Sequence, residues 1–271
     1  MPVEMKLQHV PAMRGAAWVR HGFRAFALRP LAFMALLFTY TFASMLLMQV
    51  PWLGLVALAF PPLLALVFML GTQSALRGQA PTPLLFATPF RAGRPQNVAL
   101  AKIGIGFLAL SVGIVFLGHW LDGGRLLRAM QLMSTADTPA EQSEWQALVS
   151  APQVQFAMLM RLFLLALLVL LSSHTAALVH WGGHGAGKAA FFATVAAWRN
   201  KAAYLVYAVT AFLVQVGFSV LTSLLFMVAG PQIAWILMMV LSIVLATVFC
   251  TSLFFTFVDS FEASIAPPPE T

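Results

Sequence analysis

The chain has 271 residues, of which 61% are hydrophobic and 8% charged, with a mean hydropathy of +0.90. A soluble domain carries roughly a quarter charged residues, so this composition excludes a water-soluble globule. The formal net charge of +7 does not indicate nucleic acid, because the Lys and Arg residues flank hydrophobic runs instead of gathering on one folded face.

Residues 1–30 form a basic segment with Lys6, Arg14, Arg20, Arg24 and Arg29. Within it Val19, Phe23 and Phe26 recur at helical spacing while Arg20, His21 and Arg24 fall opposite, which predicts an amphipathic helix in the membrane interface. Its arginines Arg20, Arg24 and Arg29 are then placed to contact lipid phosphates, as is Arg199 further on. A cleaved signal sequence puts a short apolar core soon after a brief basic region. The first apolar run here is long enough to cross, so it reads as a retained anchor.

Six spans are predicted over 31–258, each of about twenty residues or more, the length a helix needs to cross a bilayer. They run from about Leu31 to Val50, Trp52 to Leu76, Ala99 to Gly118, Phe156 to His180, Tyr204 to Ala229 and Gln232 to Val258. Pro51 joins the first pair and Gly230 and Pro231 the last in tight turns. The runs lack period-2 alternation, so the fold class is all-α, a polytopic membrane helix bundle of six transmembrane helices.

Twelve of the 15 basic residues fall before the first span, around the start of the third, or between the fourth and fifth. Positively charged loops stay in the cytoplasm. This predicts a bacterial inner (cytoplasmic) membrane protein with both termini inside. The acidic, proline-rich 259–271 reads as a cytoplasmic tail.

On the other side, residues 119–155 read as a helical outer loop. Thr138, Pro139 and Glu141 carry the signature of a capped helix start, followed by Trp145, Leu148 and Val149 on one face. Upstream, Leu126, Met130 and Met133 line a face opposite Arg128 and Gln131. Two amphipathic helices are expected, serving either as a docking surface or lid, or as a cap over helix ends. A basic and aromatic stretch precedes each odd-numbered span, and Phe86, Ala87, Thr88 recurs as Phe192, Ala193, Thr194. A threefold hairpin repeat is one reading; shared topology alone is the other.

The run Trp18 to Pro30 (WVRHGFRAFALRP), the hairpin containing Pro61 and Pro62, and the stretch Leu70 to Gly78 (LGTQSALRG) resemble a group of uncharacterised proteobacterial six-helix inner-membrane proteins. That group is distantly similar to the membrane domain of some glycerophosphodiester phosphodiesterases. The resemblance covers nearly the whole chain in layout. It implies a helical membrane bundle and transfers no catalytic residue.

Coupled carriers place ionisable groups deep in the membrane, yet all eight acidic residues fall in termini or the outer loop. Lys102 and Arg161 sit near span ends, where they can snorkel to the interface. His174, in the polar run Ser172 to Thr175, is the ionisable side chain well inside a span; it reads as a neutral histidine bonded to a neighbouring helix or as a ligand contact. His180 and His184 have the spacing of a helical metal pair, but Gly182 and Gly183 interrupt it and no Cys, Asp or Glu ligand is near, so no metal is expected. Cys250 has no cysteine partner and reads as a packing residue.

Pro61 and Pro62 are expected to kink or open the second span. Gln215, Ser219, Thr222 and Ser223 form a polar strip on the fifth, and with His174 and the proline break they make a candidate binding site; helix packing is the alternative. The sequence carries no nucleophile elbow, Walker loop or dinucleotide fingerprint, so no enzyme activity and no cofactor are expected. The expected role is association, as an accessory subunit, assembly factor or membrane-organising element, with a membrane-protein partner or second copy and anionic lipids as partners. The alternative is a transporter or lipid-handling protein for a hydrophobic or neutral substrate.

Overall fold

A computed structural model describes residues 5–135 and 138–262. Glu4, Asp137 and Glu270 of the acidic set, and the tail from residue 263 onward, lie outside the described residues. The architecture is all-α, with two compact units: residues 1–104 with 171–271, and residues 105–170.

The first unit begins with the two-residue strand β1 (Lys6–Leu7) and helix α1 (Arg14–Leu28). Pro30 then opens α2 (Pro30–Met48), and Arg29 before it is pushed out of helical geometry, which separates the two helices. Pro51 opens α3 (Pro51–Ala57) and Pro61 opens α4 (Pro61–Leu76). Of the two outcomes expected at Pro61 and Pro62, a kink or an opening, the second span shows an interruption between α3 and α4. Pro61 and Pro62 occupy the first turn of α4, where a missing N–H interrupts no helical hydrogen bond. With 16 residues, α4 is about 24 Å long, short of the roughly 30 Å hydrocarbon core.

Among the described residues, five helices are long and apolar enough to cross a membrane: α2, α5 (Arg94–Asp122), α8 (Pro152–Gly182), α10 (Lys201–Val228) and α11 (Gln232–Ser260). Between the last two, Gly230 takes φ +74°, a left-handed conformation that glycine adopts without a Cβ penalty. This is the tight turn expected at Gly230 and Pro231. The helix α9 (Ala186–Arg199) precedes α10. Before α5, by contrast, residues Pro83–Ala87 and Pro89–Ala92 form 3-10 turns headed by prolines. Phe86–Thr88 and Phe192–Thr194 thus differ in conformation, and local structure does not carry the threefold repeat.

The largest correction concerns α1. Its buried residues are Gly15, Trp18, Val19, Gly22 and Ala25, while Phe23 is 41% exposed. The helix packs into the protein, against α10 and α11, by a face that includes its two glycines. Two glycines make this approach feasible. A Cβ on Gly15 would collide with the Ala203 carbonyl of α10, and one on Gly22 would sit 2.7 Å from the Ser252 Cβ of α11. Thr251 of α11 donates to the Gly22 carbonyl at 3.1 Å. Beside this contact, Phe33 and Leu36 of α2 pack with Val67 and Phe68 of α4 in a core from which water is excluded.

The N-terminal segment is tied down at several points. β1 pairs antiparallel with β2 (Phe261–Glu262), Leu7 opposite Phe261, and Gln8 N–H donates to the Ser260 carbonyl at 2.9 Å. The Asn200 carboxamide accepts from Val10 N–H at 2.9 Å and donates to the Gln8 carbonyl at 3.1 Å. Asp259 and Ser260, read as the start of a tail, form the last turn of α11.

The second unit contains the two expected loop helices, α6 (Arg125–Thr135) and α7 (Pro139–Ser150). The capping box forms as predicted: Thr138 accepts from Glu141 N–H, and the Glu141 carboxylate accepts from Thr138 N–H at 3.0 Å. On α6, however, Ala129 and Leu132 are buried while Met130 and Met133 are exposed. The packed face is rotated about a quarter turn from the expected one.

Arg161 and Asp122 also depart from expectation. Arg161 does not reach outward: its Nη2 meets Asp122 Oδ2 at 2.7 Å, with the Asp122 side chain fully buried. Asp122 Oδ1 accepts from Gly124 N–H at 2.8 Å. Gly118 makes room for the guanidinium, because a Cβ there would overlap Arg161 Nε.

Two stability predictions follow from these contacts. Gly15→Leu should separate α1 from α10 and cost about 1–3 kcal/mol or more by overpacking, seen as a lower thermal midpoint in detergent; Gly185→Ala, in open space, should leave the midpoint unchanged. Arg161→Leu leaves the Asp122 charge buried and unpaired, at a cost of about 3–5 kcal/mol, whereas Arg161→Leu with Asp122→Asn should recover much of that loss.

Candidate functional site

His174 lies on α8 and is 3% exposed. Its Nε2 is 3.3 Å from the Tyr204 hydroxyl of α10 and 3.2 Å from Thr256 Oγ1 of α11, and its Nδ1 is 3.5 Å from Ser173 Oγ. The rings of Tyr204, Phe257 and Phe261 stand around it at 5.9 to 6.4 Å between centroids. Tyr204 also exchanges a hydrogen bond with Ser260 at 3.0 Å. The imidazole therefore joins three helices through hydroxyl groups. These partners are what an apolar environment requires of a buried polar ring.

The hydroxyls of α11 follow the same economy. Thr247, Thr251, Ser252 and Thr256 are buried, and each donates to a carbonyl three or four residues earlier in its own helix. Their remaining lone pairs face neighbours, as where Ser252 meets the Tyr207 hydroxyl at 2.8 Å. Sequence reasoning missed this row. Its signal was present in the spacing of Ser252, Thr256 and Ser260 at every fourth residue along one helix face, with Thr247 and Thr251 on another.

A second cluster, also missed, surrounds Asp259. Its carboxylate accepts from Arg14 Nε and Nη2, both at 3.0 Å, and from the Trp18 indole N–H at 2.8 Å. Trp18 has no exposed surface and its ring lies 5.2 Å from that of Tyr204. The hydrogen bond and charge of Asp259 push the Arg14 guanidinium above its ordinary value. Two turns on, burial and then the nearby Arg14 and Arg20 hold His21 below the ordinary histidine value, which favours its neutral form.

The other predicted site residues do not join His174. Gln215 and Ser219 are exposed on α10, about 16 Å and 22 Å along the helix axis from Tyr204 at 1.5 Å per residue. Pro61 and Pro62 start α4, and the nearby Ala59 carbonyl faces Gly104 of α5. Arg20, Arg24 and Arg199 are exposed, whereas Arg29 Nη2 donates to the Gly78 carbonyl at 3.1 Å. Trp198 is 74% exposed, and Lys201 Nζ sits 4.7 Å from its ring centroid. His180 and His184 are separated by the turn at Gly183, and among the described residues no three His, Cys, Asp or Glu side chains gather to hold a metal.

No family model matches the chain, and no solved structure matches it. The finer likeness to the membrane domain of glycerophosphodiester phosphodiesterases therefore finds no support in these comparisons. A protein of Burkholderia thailandensis, named as a probable inner membrane protein, is 31% identical over 257 residues, covering 93% of each chain. Similarity of that extent, together with the long apolar helices, places the present chain in the same family, a family of inner-membrane proteins.

Proposed function

We propose that this protein is non-enzymatic and works by association, as an accessory subunit, assembly factor or membrane-organising element, with both termini in the cytoplasm. The observation that most supports this reading is the closure of the His174 site. Its hydroxyl and aromatic partners come from α8, α10, α11 and β2, while Pro61, Pro62, Gln215 and Ser219 lie elsewhere. A coupled carrier needs titratable groups along a path, and a hydrolytic enzyme needs a positioned base or nucleophile within reach of substrate. The cytoplasmic placement draws on the basic loops. The pairing of β1 with β2 supports placing both chain ends on one side.

The alternative, a transporter or lipid-handling protein for a hydrophobic or neutral substrate, has one observation in its favour. The helical path of the second span is broken ahead of Pro61, the type of interruption that lines sites in transporters.

On the basic side, Arg20 and Arg24 project from α1, with no ion pair among the described residues, and Arg199 projects beside the exposed Trp198. These groups suit anionic lipid headgroups. Replacing Arg20 and Arg24 by Gln in the full chain should weaken enrichment of anionic lipid in nanodiscs by about 1 kcal/mol per charge. Arg29→Gln should do less, because its guanidinium already bonds Gly78. Lipid mass spectrometry reads the difference, and equal enrichment in wild type and the double variant would remove this contact from the account.

Native mass spectrometry of protein gently extracted from its own membrane tests the role itself. The expected result is a stoichiometric complex with a protein partner or a second copy. A lone chain retaining one discrete small molecule would overturn the association reading in favour of substrate handling.

A further inference from the structure

Ala211, Gln215, Ser219 and Ser223 recur every fourth residue along α10 and so share one ridge. At the start of this helix α1 is the cover, with Gly15 against Ala203, Val206 and Tyr207. Further along the ridge is open: Gln215, Ser219 and Ser223 are exposed, flanked by Phe212 and Val220 at 65% and 55%. The Ser219 hydroxyl donates to the Gln215 carbonyl at 3.0 Å and the Ser223 hydroxyl to the Ser219 carbonyl at 2.9 Å. Their protons are therefore committed to their own helix.

Gln215 differs. Its carboxamide makes no side-chain hydrogen bond among the described residues, although it stands about 21 Å along α10 from Lys201, near the middle of a membrane-crossing helix. A primary amide offers two N–H donors and a carbonyl acceptor. Hydrocarbon satisfies none of them, and water is absent at that depth. The missing partner must be another polar group at the same level.

The amide is neutral and self-complementary, so the same residue on a second copy supplies both halves of the match. Across a two-fold axis, Nε2 of each Gln215 donates to Oε1 of the other, an isologous contact. Ala211 and Ser219, one turn to either side, are small enough to let two helix backbones approach closely. A solute is a poorer occupant, because the ridge is an open helix face without the concavity of a small-molecule site. The ridge also carries no charge with which to select a charged partner.

We propose that two copies of this chain pair in the bilayer through the α10 ridge, with their Gln215 carboxamides hydrogen-bonded to each other. This narrows the association reading and rests on it. The two fail separately: a chain that stays single yet carries a stoichiometric protein partner removes the pairing and leaves association standing.

The test uses the full chain in liposomes, donor- and acceptor-labelled, with energy transfer followed as lipid dilutes the protein. Wild type should show a dimer, and Gln215→Leu should raise its dissociation constant roughly three- to twenty-fold, the range that interhelical hydrogen bonds in bilayers span. Gln215→Asn, which keeps the amide, should lose less. Leucine suits lipid, and an unchanged thermal midpoint for Gln215→Leu separates lost pairing from lost folding. In a Cys250→Ser background, oxidation of Ser219→Cys should give a product of twice the chain mass, and oxidation of Leu213→Cys, on the opposite face, should not. A monomer at every dilution, a dimer indifferent to Gln215→Leu, or equal cross-linking from positions 213 and 219 would overturn the proposal.

Discussion

Close backbone contact between α1 and the pair α10 and α11 is the constraint on which the first unit depends. Gly15 and Gly22 bring α1 close enough for the Gly22 carbonyl to accept a hydroxyl from Thr251, and for Trp18 to lie fully buried between tyrosines. Once Trp18 is there, its indole N–H needs an acceptor, and Asp259 supplies it while also holding Arg14. The Arg14 pair is partly exposed and contributes little energy by itself. Its larger effect is to fix the end of α11, from which Ser260 and Phe261 reach the N-terminal strand and the His174 cluster. Wedge, carboxylate, strand pair and buried imidazole thus form one connected piece of structure.

The interior handles polarity in two ways. Hydroxyl groups on α11 bond back to their own helix, and Thr251 shares its proton with the Gly22 carbonyl of α1, so they add cross-helix contacts without leaving a donor stranded. Charges are treated more strictly. Asp122 and Arg161 are buried together, with Gly124 N–H completing the carboxylate and Gly118 leaving space for the guanidinium. A buried pair of this kind adds less to stability than its short distance suggests, because both ions lose hydration. It does enforce register within its unit, since shifting either helix would leave a charge unpaired.

These arrangements frame the functional reading. The polar groups of His174, Asp259 and Asp122 are occupied in joining elements of the structure. The surfaces left available are apolar helix faces, basic residues with aromatic neighbours, and the isolated amide of Gln215. Such surfaces suit contact with lipids and other helices, and that is the support for the association proposed above.

Local sequence was enough for much of the architecture. The apolar runs implied an all-α membrane bundle, because backbone groups in lipid must be satisfied within a segment. Thr138 and Glu141 specified the start of α7, and Gly230 marked the turn between the last two helices, since caps and left-handed turns depend on neighbouring residues alone. The face of α1, the inward course of Arg161, the pairing of Asp259 with Arg14 and Trp18, and the separation of Pro61 from His174 were not legible. Each depends on which residues, tens to hundreds of positions apart, come within about 3 Å, and hydrophobic periodicity contains no such information. In α1 it ranks Phe23 as the residue to bury and Gly15 and Gly22 as neutral, whereas packing against α10 and α11 rewards the absence of a side chain. Sequence by itself determined that the chain is helical and carries runs long and apolar enough to cross a membrane; tertiary structure decided which helix faces meet, because close approach and paired buried charges are properties of two segments together.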